Sequence, residues 1–119
     1  MEIWINPACS KCASALSLLD AEGAEYTVRH YLEDPPSVPE LEEVLRRLGL
    51  EPWDIARTGE RPELGLDAWP RDAANRARWI QALAEHPILI QRPIITVDDT
   101  TAVVARSPEA VRATLGTSP

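Results

Sequence analysis

The sequence has no phenylalanine, one methionine, two cysteines and two histidines. Each scarcity removes a class of protein. Two cysteines in 119 residues cannot form the multi-bridge framework of a small secreted domain. The two histidines, His30 and His86, lie far apart and outside the usual ligand spacing of a zinc site, so no metal centre is expected. No apolar run approaches the ~20 residues of a membrane-spanning helix. The N-terminus lacks the basic region and long apolar core of a secretory signal. Neither a membrane nor export is therefore expected. Basic residues are also scarce: twelve against nineteen acidic ones, for a formal charge of −7. A broad nucleic-acid surface needs a basic stripe, so no nucleic-acid partner is expected. An acidic chain that binds an anion must do so at a focused site, which makes any local cluster of arginines informative.

Four tryptophans and two tyrosines supply the aromatic bulk, and a hydrophobic fraction of 45% is ordinary for a soluble globule. At 119 residues a single domain over 1–119 is expected, long enough for a real core. The chemistry concentrates in one stretch, Asn6-Pro7-Ala8-Cys9-Ser10-Lys11-Cys12, which holds both cysteines. It follows an apolar run read as a strand over 2–5. It opens a helical pattern over 10–22, with Ala15, Leu16 and Leu19 inward and Gly23 as the stop. The first helical turn has unpaired amides, and the helix dipole adds partial positive charge there. Both favour a thiolate at Cys9, and the thiolate is the nucleophile. Lys11 adds a cation. Cys12 shares a helix face with Leu16 and Leu19, which suits a buried thiol. A Cys-x-x-Cys in a reducing cytoplasm is catalytic or sensing.

Residues 25–32 read as a second strand, so the first three elements form a parallel βαβ unit with a right-handed crossover. Ser37 and Glu40 form a capping-box signal, and Leu41, Val44, Leu45 and Leu48 define a helix over 38–48. Pro52 to about Thr58 reads as a short helical turn. Residues 59–71 read as a mobile connection or a lid. Asp72 caps a helix over 73–85, with Ala73, Ala77, Ile80, Leu83 and Ala84 inward, and Pro87 bars its continuation. Ile94–Val97 and Thr101–Val104 read as an antiparallel hairpin. Ser107-Pro108-Glu109 starts a last helix that ends near Leu115. Residues Thr117–Pro119 read as frayed. The order predicts a four-stranded mixed α/β sheet with helices on both faces and a helical insertion. With Cys-x-x-Cys at the first βα turn, that is the pattern of the thioredoxin and glutaredoxin-like fold. In such a fold a cis-proline opens the third strand beside the active cysteine. Pro93 stands at that place and is expected to be cis.

With these pieces placed, the sequence resembles the ArsC arsenate reductase family of the glutaredoxin-like fold. The resemblance rests on Asn6-Pro7-Ala8-Cys9-Ser10, His30-Tyr31-Leu32-Glu33-Asp34-Pro35-Pro36, Glu63-Leu64-Gly65-Leu66, the stretch from His86 to Ile94, and Arg106-Ser107-Pro108-Glu109. It implies that Cys9 is the nucleophile and that Arg57, Arg92 and Arg106 bind the oxyanion, whose tetrahedral oxygens suit the planar arginine fork. It implies a Cys9–arsenic adduct formed from arsenate and resolved by glutathione as co-substrate. Glutaredoxin, or thioredoxin, is then the protein partner. No bound cofactor is implied, and a cytoplasmic monomer is expected. Cys12 departs from the glutathione-dependent enzymes, where serine or another residue is common. It keeps open a resolving or redox role for Cys12. It also keeps open an Spx-like regulator with a Cys9–Cys12 disulfide switch, and a general thiol–disulfide oxidoreductase.

Overall fold

The computed structural model describes residues 1–115. The expectation for Thr117–Pro119 lies outside them. The strands are β1 (Glu2–Ile5), β2 (Thr27–His30), β3 (Ile94–Thr96) and β4 (Ala102–Val104). The α-helices are α1 (Ser10–Ala21), α2 (Val38–Leu48), α3 (Arg76–Glu85) and α4 (Pro108–Leu115). The sheet order is β2-β1-β3-β4. β1 pairs with β2 in parallel, and β1–β3 and β3–β4 are antiparallel.

Alternation along the strands divides the core in two. Trp4, Ile94 and Ala102 point to the face covered by α2 and α3, where Leu41, Val44, Leu45, Ile80 and Leu83 are buried. Ile3, Ile5 and Ile95 point to the other face, against Cys12, Ala15 and Leu19 of α1 and Val111 of α4. Helices thus cover both faces, and the topology is that of the thioredoxin-like fold with a helical insertion between β2 and β3. Among the described residues no helix is long and apolar enough to cross a membrane.

Several boundaries differ from the sequence reading. The second strand is confined to Thr27–His30, because the His30 carbonyl accepts from the amides of Glu33 (3.0 Å) and Asp34 (2.9 Å) and turns the chain. Tyr31, in that turn, is fully buried. The expected helix over 73–85 begins as a 3-10 turn, Ala73–Asn75, capped by Asp72, and becomes α-helical only at Arg76. A 3-10 turn winds more tightly than an α-helix and shifts the phase of the residues around it. Ala73 and Ala77 are consequently exposed, and Trp79 takes the inward place. Its ring meets those of Trp53 and Trp69 edge-on, with centroids 6.3 and 5.5 Å away, and its Nε1–H donates to the Pro70 carbonyl at 2.9 Å.

The segment read as a mobile connection is a chain of short 3-10 turns, Thr58–Glu60, Pro62–Leu64 and Leu66–Ala68. Leu66 is buried in the core, and Thr58 Oγ1 donates to Asp67 Oδ1 at 2.5 Å across the segment. An antiparallel bridge precedes it: the Arg57 amide donates to the Leu89 carbonyl (2.6 Å) and the Gln91 amide to the Ile55 carbonyl (2.8 Å). That bridge brings Arg57 alongside the approach to Arg92.

α2 matches the sequence reading. The Glu40 amide donates to Ser37 Oγ (3.2 Å), the Ser37 amide donates to Glu40 Oε1 (3.1 Å), and Gly49 ends the helix at φ +67°. Glu40 also pairs with Arg29 of β2 at 2.6 Å, tying α2 to the sheet. Ser37→Ala removes one capping acceptor, so the urea midpoint should fall by an amount worth about 1 kcal/mol, with an unchanged slope.

Candidate active site

The loop between β1 and α1 is held from within. Asn6 is 5% exposed; its Oδ1 accepts from the Ala8 amide at 2.9 Å and its carbonyl from the Cys9 amide at 3.0 Å. This closes the turn and delivers Cys9 to the N-cap of α1 in an extended conformation, φ −94° and ψ 119°. Its side chain makes no capping bond. Cys9 is half-buried and Cys12 is buried, and both are free thiols. The Asn6 amide reaches Cys12 Sγ at 3.5 Å.

The two thiols are driven in opposite directions. At Cys9, burial acts to raise the pKa but is outweighed. The Cys12 amide, the Cys12 thiol, the Lys11 amide and the Arg92 guanidinium all stabilise the thiolate and hold the pKa below its ordinary value. At Cys12, burial pushes the pKa up to about 11, the Asn6 amide opposes this, and the Cys9 thiolate adds to the rise. The pair therefore favours the thiolate at Cys9, with a protonated donor at Cys12 behind it. Lys11 contributes through its backbone amide; its side chain is on the exposed surface.

Arg92 is 6% exposed. Its Nη1 donates to the Ile88 carbonyl (3.1 Å) and its Nη2 to Glu60 Oε1 (3.1 Å). Its Nε is buried with no hydrogen-bond partner. Burial opposes its charge, but Tyr31, Cys9 and Glu60 outweigh that and raise its pKa. The Arg92–Pro93 bond is cis. The end of β4 braces this junction: the Ala105 amide donates to the Pro93 carbonyl at 2.9 Å, and Arg106 Nη1 donates to the Arg92 carbonyl at 2.6 Å.

Of the residues singled out in the sequence, the fold thus brings Cys9, Cys12, Arg92 and Pro93 together. Arg106 is joined to them through the Arg92 backbone. Arg57 is linked through Glu60, its Nη2 lying 3.5 Å from Glu60 Oε1. Three contributors were not legible as site residues. Asn6 carried a signal, an Asn opening a turn before a helix. Glu60 sits three residues after Arg57, an ordinary surface spacing. Tyr31 is fully buried beside the site; burial pushes its phenol up to about 12, so it stays neutral, and its hydroxyl reaches the Ile90 carbonyl at 3.4 Å. Among the described residues no group of three or more His, Cys, Asp and Glu side chains could hold a metal ion. A groove of 640 Å³ runs between α1 and α4, with Lys11, Ser14, Leu18, Arg106, Pro108 and Arg112 in its walls.

A thioredoxin-like sheet with a cysteine at the β1–α1 junction and a cis-proline at the start of β3 defines a thiol protein of the thioredoxin-like class. Within that class the chain belongs to the ArsC family, whose model matches residues 4–114. It is 71% identical over 114 residues to an uncharacterized protein from the glnII region of Streptomyces viridochromogenes, covering 94% of this chain and 96% of that protein. It is 36% identical to an arsenate reductase of Neisseria meningitidis, covering 97% of each. Among solved structures, it superposes on a putative arsenate reductase from Yersinia pestis with a TM-score of 0.83 at 36% identity, covering 94% of this chain and 97% of that one.

Proposed function

We propose that this protein reduces arsenate to arsenite through a covalent bond between Cys9 and arsenic, with glutathione and glutaredoxin as the source of electrons. The observation that carries the reading is the buried Arg92 guanidinium set against a Cys9 whose thiolate is favoured. A thiolate must approach an anion here, and fixed cationic donors offset that repulsion and the charge of the transition state. Arg92 is the central donor; Arg57 and Arg106 complete the set from either side. Relatives named arsenate reductase, matching over nearly the whole chain, support the choice of oxyanion.

In the proposed sequence the Cys9 sulfur bonds to arsenic(V). One As–O bond breaks, and its oxygen takes up a proton and leaves as water. Glutathione adds to the adduct with loss of a second water. A glutaredoxin thiolate then attacks the glutathione sulfur, forming a glutaredoxin–glutathione disulfide. The electron pair of the As–S bond passes to arsenic, taking it from +5 to +3. Hydrolysis of the Cys9–As bond releases arsenite and restores the thiolate. The groove beside the Cys loop suits glutathione, a bis-carboxylate peptide, because Lys11, Arg106 and Arg112 bring three cations to it in an acidic chain.

Cys12 serves as a donor to the Cys9 thiolate in this account. A buried thiol with a pKa near 11 is almost entirely protonated at neutral pH and attacks poorly. Cys12→Ala should therefore move the Cys9 titration upward, and Cys12→Ser, which keeps a donor, should move it less and be nearly silent with glutathione. Alkylation rate against pH reads this directly. Reactivity rises with pH and levels off above the Cys9 pKa, so the parent should level off at a lower pH than an ordinary cysteine does. A resolving role would instead give a parent active in a thioredoxin-linked assay and leave both variants dead there.

The function itself is tested by arsenate-dependent NADPH oxidation. One arm contains glutathione, glutaredoxin and glutathione reductase, the other thioredoxin and its reductase. Turnover in the first arm alone is expected. Turnover only in the second would reassign the reductant to thioredoxin and Cys12, and turnover in neither would refute the reading.

A further inference from the structure

Glu60 places a carboxylate inside the arginine set. Its Oε1 lies 3.1 Å from Arg92 Nη2 and 3.5 Å from Arg57 Nη2. The position is fixed by the fold: the antiparallel bridge at Ala56–Ile90 lays this segment along the approach to Arg92, and the Glu60 amide donates to the Arg57 carbonyl at 3.0 Å.

A carboxylate beside an anion is repulsive unless the anion has a hydrogen to give. Tetrahedral oxyanions differ in this respect. At neutral pH phosphate and arsenate retain at least one O–H, and sulfate retains none. A carboxylate accepts a hydrogen bond from the first two and faces only bare oxygens in the third. The Glu60 side chain is half-buried, 30% exposed, and a site that accepts a hydrogen bond from its ligand rejects analogues that lack the matching donor more strongly than an apolar pocket rejects a change of size.

We propose that Glu60 is a specificity-determining residue that admits protonated tetrahedral oxyanions to the Arg57–Arg92 site and excludes sulfate, an inference that rests on the oxyanion reading of that site. Arg57 and Arg92 neutralise the carboxylate when the site is free. When a protonated oxyanion enters, its O–H donates to Glu60 and its bare oxygens accept from the guanidinium groups. Glu60 does not separate arsenate from phosphate, since both carry the proton. That distinction is left to the reaction with the Cys9 sulfur.

The test uses the inert anions inorganic phosphate and sulfate on the full chain. Each is titrated at pH 7.5 and constant ionic strength as a protectant of Cys9 against iodoacetamide, followed by mass spectrometry of the Cys9 peptide. The parent should be half-protected by phosphate at a concentration about tenfold or more below that of sulfate. Glu60→Gln, whose amide can donate, should bring the two concentrations together, chiefly by improved sulfate protection. Glu60→Asp should keep the preference for phosphate. Equal protection by both anions in the parent would overturn the inference and leave the oxyanion reading standing. An unchanged ratio in Glu60→Gln, or a parallel weakening of both anions, would show that Glu60 only props Arg92, and would also overturn it. Protection by neither anion in the parent would overturn the inference and the oxyanion reading together.

Discussion

Cys9→Ser should reduce arsenite production to the background rate while the protein folds as before. The Cys9 side chain makes no capping bond in α1 and is only half-buried, so little packing depends on sulfur. Serine is a favoured N-cap residue and adopts the extended backbone found there. The chemistry, by contrast, depends on the sulfur. Against burial, the amides of Cys12 and Lys11, the Cys12 thiol and Arg92 hold the Cys9 pKa below its ordinary value and so favour the thiolate. The same donors cannot ionise a hydroxyl, whose proton is held far more tightly. A Cys9→Ser protein with parent circular dichroism and no arsenite is the expected result. Arsenite formation at the parent rate would remove Cys9 from the mechanism.

Arg92→Ala should lower kcat about 10²–10³-fold, the range for removing one oxyanion-stabilising donor. It should also raise the Cys9 pKa, because a guanidinium that favours the thiolate is lost. The sign is fixed: at pH 7 less of Cys9 would be thiolate, alkylation would slow, and its pH profile would move to higher pH. Arg92 is also a buried ion-pair partner, so its removal costs stability, and Glu60 is left to Arg57 alone. Arg92→Lys separates these effects. Lysine keeps a charge but not the fork that reaches Glu60 and the Ile88 carbonyl together. It should recover part of the thiol shift and little of the oxyanion binding. Parent values for both the thiol titration and arsenate kinetics in Arg92→Ala would contradict the assignment.

Local signals account for most of what could be read before the structure. The capping box at Ser37 and Glu40 and the apolar stripe from Leu41 to Leu48 need only one helix to be recognised, and they fall where expected. The Cys loop is similar, since its elements flank it directly in sequence. The inward face of α3 was misread because alanines at 73 and 77 mimic a helical stripe that the 3-10 turn rotates away. Trp79 could be assigned only from partners distant in sequence, Trp53 above all. The arginine set shows the same divide. Arg92 was legible from its place before Pro93. That Arg106 grips the Arg92 carbonyl, and that Glu60 sits between Arg57 and Arg92, are products of chain segments 14 to 35 residues apart meeting at one point. The separations themselves carry no periodicity.

Whether the protein reduces arsenate is read from the oxidation state of arsenic after turnover. Arsenate is incubated with the purified protein, glutathione and glutaredoxin, and arsenite is separated and counted. Arsenite in excess of the protein present is expected from the parent, none above the protein-free rate from Cys9→Ser, and little from Arg92→Ala. Arsenic that remains wholly as arsenate with the parent protein, or arsenite formed equally by parent and Cys9→Ser, would contradict it.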